Sequence, residues 1–276
     1  MLTQVRVISW NLHGPPFAPR RPERMSAAAT EAARRGADLL LLQEVWFPAD
    51  AARLIDQLGP DYDSITVPRG ALFGRKGGLL AFLRRSSSWS TEGSVARFEQ
   101  FRATASPFIF WQGDGLGKKG VQVIELRHRS SEQRLFVLNT HLQAQYGEDT
   151  YEDVRRSQLG QLAAVASDLE TGVPILAAGD INTRPEETAV YTRLTDTWED
   201  LSAELRRQCG RGTAVHHDAA TKEWIDYVVA WRSPAWQFSA RVELIANRGV
   251  DDPYSDHEGL DATIDIRPST SASPNR

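Results

Sequence analysis

The stretch V-P-I-L-A-A-G-D-I-N-T-R-P-E, residues 173–186, decides how this 276-residue chain is read. Residues 173–178 form a short apolar run with the length and composition of a buried strand. The run ends in Gly179, and Asp180 and Asn182 follow two residues apart; at strand period their side chains point to the same side. Pro185 forbids further strand pairing and can open a helix at its first turn. A carboxylate and a carboxamide are thereby held at the end of a central strand, where open α/β sheets place their chemistry. Taken alone, the segment reads equally well as a polar loop closing a strand, so the rest of the chain decides.

Working outward, the same pattern recurs. Residues 4–10 alternate as a strand that stops at Asn11, before the loop residues Leu12-His13-Gly14-Pro15-Pro16. Residues 21–35 are Ala- and Arg-rich and fit a helix, stopped by Gly36. D-L-L-L-L-Q at 38–43 reads as the next buried strand, with Glu44 at its end, and residues 49–58 as a helix. Strands are expected at 77–84, 120–127 and 134–140, the last followed by His141. Helical spacing runs from 151 to 169. W-I-D-Y-V-V-A-W at 224–231 is a strand with Asp226 inside it, and Ser255-Asp256-His257 is a turn before a last strand at 260–266. Strands dominate, mixed with about four or five helices, with no repeat and no dividing linker.

Composition narrows the function classes. The formal charge is −4, which gives no support to a nucleic-acid binder working by bulk charge. The single cysteine, Cys209, excludes an internal disulfide scaffold. Residues 1–9 carry no long apolar core and no run reaches the length of a membrane span, so the expected location is cytoplasmic.

Polar residues thus stand where apolar strands stop: Asn11, Glu44, His141, Asp180, Asn182, Asp256 and His257. Each alone has a plain explanation: a turn cap for Asn11, a first-turn helix acid for Glu44, a satisfied core histidine for His141. Asp226, between Ile225 and Tyr227, must be paired or strongly hydrogen-bonded if buried. The set is rich in oxygen donors and poor in cysteine, which suits a hard cation such as magnesium and not a structural zinc.

W-N-L-H-G at 10–14, L-Q-E-V-W at 42–46, N-T-H-L at 139–142, G-D-I-N at 179–182, I-D-Y at 225–227 and S-D-H at 255–257 occur in one order. In this the chain resembles the endonuclease/exonuclease/phosphatase superfamily, whose members share the fold of pancreatic DNase. Within it the chain is most similar to neutral sphingomyelinases, on three features: L-Q-A-Q-Y after the His141 motif with Arg155 and Gln158 beyond, the loop G-L-G-K-K-G-V at 115–121, and E-V-W-F-P-A-D at 44–50. The membrane-spanning C-terminal segments of some animal members are absent from this sequence, and the membrane hairpin of secreted bacterial members is not obvious.

The resemblance implies a four-layered α/β sandwich, two packed mixed β-sheets flanked by helices, as one domain over 1–268 followed by a disordered tail at 269–276. It implies a magnesium-dependent phosphodiesterase, with manganese as the alternative ion, releasing phosphocholine or a related headgroup from a sphingo- or lysophospholipid. By the same resemblance Glu44 and Asn11 bind the metal and Asp256 lies in its outer shell. Asp180 and His257 position and deprotonate the attacking water, Asp226 orients His257, and Asn182 and His141 bind phosphoryl oxygens, His141 also lying near the leaving oxygen. Lys118 and Lys119 beside glycines can add donors to the phosphate or form a plain solvated loop. Phe108, Phe110 and Trp111 are the candidate lipid contact of a peripheral membrane enzyme, or alternate members of a core strand. The runner-up activity is a nuclease or a phosphatase on a soluble phosphoester, and a non-catalytic binding module on the same fold is the reading from a different class. The partner expected is a phospholipid or small phosphodiester substrate rather than nucleic acid.

Overall fold

Strand β1 (Thr3–Asn11) forms the centre of a six-stranded sheet together with β2 (Leu39–Gln43), β3 (Tyr62–Ile65), β4 (Leu80–Arg84) and two later strands. The computed structural model describes residues 2–65, 69–70, 74–91, 96–105, 117–210, 212–215, 222–249 and 253–269. A second, seven-stranded sheet comprises β5 (Trp89–Ser90), β6 (Arg97–Gln100), β7 (Gly120–His128), β8 (Arg134–His141), β9 (Ile175–Asp180), β10 (Trp198–Asp200) and β11 (Asp226–Trp231). The first sheet is completed by β12 (Trp236–Ile245) and β13 (Gly259–Pro268), in the order β12-β13-β1-β2-β4-β3. The second runs β10-β11-β9-β8-β7-β5, with β6 also on β7.

Each sheet has a parallel pair near its centre, β1 with β2 and β8 with β9, and antiparallel partners outside it. A parallel pair needs a crossover. Helix α1 (Arg21–Arg35) supplies the first and α3 (Glu152–Ser167) the second. The two crossovers bring the C-terminal ends of four central strands to one edge of the sandwich, and those ends carry Asn11, Glu44, His141 and Asp180.

Alternation explains the layers. Val5, Val7, Leu39 and Leu41 face a core shared with Leu126, Leu138, Ala177 and Ile264 of both sheets. Ile8, Trp10, Leu40 and Leu42, one residue out of phase, face Met25, Ala28 and Ala32 of α1 and Leu54 and Leu58 of α2 (Pro48–Leu58). The continuous run L-L-L-L is therefore buried on both faces. Leu159, Leu162 and Ala166 of α3 and Val190 and Leu194 of α4 (Thr188–Thr195) pack against the second sheet. A last helix, α5 (Ala203–Cys209), buries none of its residues. The expected four-layered α/β sandwich, two mixed sheets flanked by helices, is what the chain forms.

Several local expectations are corrected. Pro185 does not open a helix; α4 starts at Thr188, and Glu187 instead accepts the Arg184 backbone N–H at 2.7 Å. The strand expected from residue 77 starts at Leu80, because Gly77 and Gly78 sit at φ 68° and 62° in a 3₁₀ turn. Edge strand β12 was not anticipated, although W-Q-F-S-A-R-V-E-L-I alternates half-buried and exposed residues almost throughout. Of the tail expected to be disordered, residues 270–276 lie outside the described residues.

Candidate active site

Asn11 closes β1 and is fully buried. Glu44 follows β2 in the left-handed region, at φ 62°. Its carboxylate accepts the Gly14 N–H at 2.9 Å and one Asn11 amide hydrogen at 3.2 Å. The loop after β1 passes so close that a Cβ on Gly14 would lie 1.8 Å from the Glu44 carbonyl oxygen, so glycine is required there. The other hydrogen of the Asn11 amide goes to Asp180 Oδ2 at 2.9 Å. One carboxamide thus spans the two sheets, joining Glu44 on the first to Asp180 on the second.

His141, Asp180 and Asp226 come from three neighbouring strands and lie in one row: His141 is in register with Asp180, and Asp180 with Asp226. All three are buried. Asp226 opens β11 and is not in its interior, as the sequence had suggested. Gly179 lies inside β9, at φ 150°, where a Cβ would meet the Thr140 carbonyl oxygen at 1.9 Å. Asp180 and Asn182 do come together, but not by strand alternation. The strand ends at Asp180, Asn182 turns to φ 50°, and its backbone N–H donates to Asp180 Oδ1 at 2.9 Å. The Asn182 amide then donates to the Leu142 carbonyl at 3.0 Å. Glu44 and Asn182, both strained non-glycine residues, flank the row; backbone conformations of this kind cost about 1–3 kcal/mol and cluster at functional sites.

His257 completes the row. Its Nδ1 lies 2.9 Å from Asp226 Oδ2 and its Nε2 3.7 Å from Asp180 Oδ2. Burial by itself would lower the imidazole pKa, yet Asp226, Asp256 and Asp180 together raise it well above the ordinary histidine value. Asp180 is pushed up to about 7, first by burial and then by the Asp226 carboxylate, against the opposing pull of His257.

His141 titrates the other way. Burial first, then the Lys119 ammonium and His257, push its pKa well below the ordinary value. Lys119 Nζ lies 2.9 Å from His141 Nε2 and donates to the Leu142 carbonyl at 2.6 Å. An ammonium only donates, so Nε2 accepts and the neutral ring carries its proton on Nδ1. That Nδ1 is buried without a hydrogen-bond partner among the described residues.

Lys119 is therefore a buried member of the site and not part of a solvated loop. Lys118 is exposed, and no hydrogen bond or ion pair joins it to a site residue among the described residues. Asp256 lies beside His257, its Oδ1 3.9 Å from Nε2, and its Oδ2 is 3.3 Å from His13 Nδ1. Phe108, Phe110 and Trp111 lie outside the described residues.

Sequence reasoning missed several participants. Ser255 Oγ donates to the Asn11 carbonyl at 2.6 Å and accepts the His257 N–H at 3.2 Å, tying the last loop to β1. Buried Arg24 donates to the carbonyls of Leu12, His13 and Tyr254, at 3.3, 2.8 and 3.1 Å, and so holds the loops on both sides of the site. Trp46 is clamped by glycines: a Cβ on Gly78 or Gly117 would come within 2.7 or 2.9 Å of its ring. His13, Trp46 and Ser255 fall inside the recurring motifs; Arg24 carried no signal.

Asp180, Asp226 and His257 place ligand atoms within 4.8 Å of one another, but the His257–Asp226 hydrogen bond already occupies two of them. The oxygen donors that Asn11 joins, the Glu44 and Asp180 carboxylates, are of the type that suits a hard divalent cation. Asn11 Oδ1 accepts the His13 N–H at 3.0 Å while its Nδ2 bridges the two carboxylates.

A profile of the Endonuclease/Exonuclease/phosphatase family matches residues 8–257. An inositol phosphosphingolipids phospholipase C of Schizosaccharomyces pombe is 30% identical over 204 residues, 71% of this chain and 46% of that protein. Human sphingomyelin phosphodiesterase 2 is 26% identical over 294 residues, 96% of this chain and 66% of that protein. The chain thus spans about half the length of the first relative and just under two thirds of the second. Among solved structures, TDP2 from C. elegans superposes with a TM-score of 0.72 at 20% identity, over 95% of this chain and 75% of that one. Sphingomyelinase C from Streptomyces griseocarneus does so with a TM-score of 0.65 at 16% identity, over 95% and 99%. At these identities the two structures establish a shared fold.

Proposed function

The chain belongs to the endonuclease/exonuclease/phosphatase family, and on that footing we propose that it is a magnesium-dependent phosphodiesterase releasing the phosphorylated headgroup of a phosphosphingolipid or lysophospholipid. The observation that carries the reaction type is His257, held by Asp226 at 2.9 Å on one nitrogen and facing Asp180 at 3.7 Å with the other. That is the arrangement of a general base with its orienting carboxylate. The named relatives support the substrate class.

In this reading His257 Nε2 takes the proton of the attacking water, Asp226 holds the ring, and Asp180 aligns the water. Glu44, with Asp256 and Asn11, would hold magnesium. The ion would supply charge stabilisation to the phosphoryl oxygens, and its charge would offset the carboxylates that keep His257 protonated. Asn182 and the Lys119–His141 pair stabilise the oxyanion and the leaving oxygen. Lys119 supplies the positive charge there, since buried His141 is held neutral.

Hydrolysis of sphingomyelin, an inositol phosphosphingolipid, a lysophosphocholine lipid and plasmid DNA, side by side with magnesium, tests the proposal. Release of a phosphorylated headgroup from one of the three lipids is expected; turnover of DNA alone would overturn the lipid reading.

A further inference from the structure

We propose that Phe17 is an interfacial anchor, through which the loop at residues 15–20 docks the protein on a lipid surface with the active-site mouth toward the headgroups. The inference rests on the lipid reading of the site. Among the described residues only Leu2 and Phe17 are exposed large hydrophobics, and Phe17 is 97% exposed. A lone exposed apolar side chain is ordinary on a protein surface. The stiffness of the chain that presents this one is not.

Pro15, Pro16 and Pro19 restrict the loop. Ala18 N–H donates to the Pro15 carbonyl at 3.1 Å, closing a turn over Pro16 and Phe17. Arg21 donates to the Pro15 and Pro16 carbonyls at 3.1 and 3.0 Å, pairs with Asp50 at 2.8 Å and lies 4.3 Å over the Phe47 ring. Arg24 holds the far end through the Pro19 carbonyl at 2.8 Å. Two arginines therefore keep the ring out in water. A flexible loop could fold such a ring back onto the surface and would lose entropy on docking; a pinned one is already in its docked shape.

The loop also fixes the anchor relative to the chemistry. Gly14, three residues before Phe17, donates to Glu44, and His13 meets Asp256. Three residues of chain reach at most about 11 Å, so Phe17 lies within that reach of Gly14, which itself donates to Glu44. Arg20, three residues on from Phe17, is exposed and puts a positive charge in the same loop.

The test compares wild type, Phe17→Ala and Phe17→Trp in magnesium on vesicles of equimolar sphingomyelin and phosphatidylcholine. Partition is read by sedimentation, and hydrolysis on these vesicles and on a monomeric short-chain phosphocholine substrate. Phe17→Ala is expected to partition about ten-fold more weakly, to lose vesicle hydrolysis in proportion, and to keep short-chain hydrolysis. Phe17→Trp is expected to restore both. Unchanged partition in Phe17→Ala, equal loss on both substrates, or a wild type that does not partition at all would overturn the anchor. Phe17-dependent partition without hydrolysis of any lipid would support the anchor and overturn the substrate reading.

Discussion

His257 Nδ1 and Asp226 Oδ2 are 2.9 Å apart in a buried setting, although the two residues come from different sheets: Asp226 opens β11 of the second and His257 precedes β13 of the first. The pair closes the sandwich at its functional edge. If it acts as one unit, removing either member removes the same service. His257→Ala should lower turnover by about 10²–10⁴-fold, Asp226→Asn by less, and the double variant by no more than His257→Ala alone. Single-turnover rates of the three variants decide it. A double variant much slower than either single would break the pairing.

Lys119 and His141 make a second coupled pair. Lys119→Met removes an ammonium from 2.9 Å away while leaving Asn182 to donate to the Leu142 carbonyl. The His141 pKa should rise part of the way toward the ordinary value, since burial, the larger cause of its depression, remains. Imidazole chemical shifts followed through a pH titration report this directly. Turnover should fall about 10²-fold, as for loss of one oxyanion donor. A His141 titration identical to wild type would show that Lys119 does not set its protonation.

Glu44→Gln tests the proposed metal site. A carboxamide keeps the shape and one acceptor, so the fold should persist. Magnesium affinity should fall in calorimetry, and excess magnesium should recover part of the rate. Wild-type affinity in the variant would remove Glu44 from the site.

Asp180 predicts a pH dependence of stability in metal-free protein. Its carboxyl is pushed up to about 7, above the unfolded value of 3.8, so the folded state binds the proton more tightly. The associated stability is full below the unfolded value and is lost as pH rises through about 7. Asp180→Ala should therefore lose less stability than wild type between about pH 6 and about pH 8 in urea unfolding. His257, raised by its carboxylate neighbours, acts with the same sign, so the slope should shrink and not vanish. Equal slopes in the two proteins would place the titration elsewhere.

Much of this was legible in the sequence because the central strands are apolar runs that stop at polar residues. Asn11, Glu44, His141 and Asp180 each end or follow such a run, and the crossovers that gather them are visible as helical spacing between strands. What was not legible depends on backbone geometry and long-range burial. The Asp180–Asn182 turn looks like strand alternation until the positive φ of Asn182 is known. Lys119 beside glycines reads equally as a phosphate donor or as a solvated loop residue, and only the packed structure buries it against His141. Arg24 sits in an Ala/Arg-rich helix with nothing local to separate it from the other arginines of that helix, yet its donors reach Tyr254, 230 residues away. Strand β12 offered a clear alternation.

In the proposed reaction His257, oriented by Asp226, directs water onto phosphorus at this site. Hydrolysis in ¹⁸O-water, with the released headgroup followed by ³¹P NMR and mass spectrometry, tests it most directly. On the lipid the protein turns over, the account predicts magnesium-dependent release of a headgroup phosphate carrying one ¹⁸O, abolished in His257→Ala. Label in the lipid alcohol in place of the phosphate, or undiminished release by His257→Ala, would contradict it.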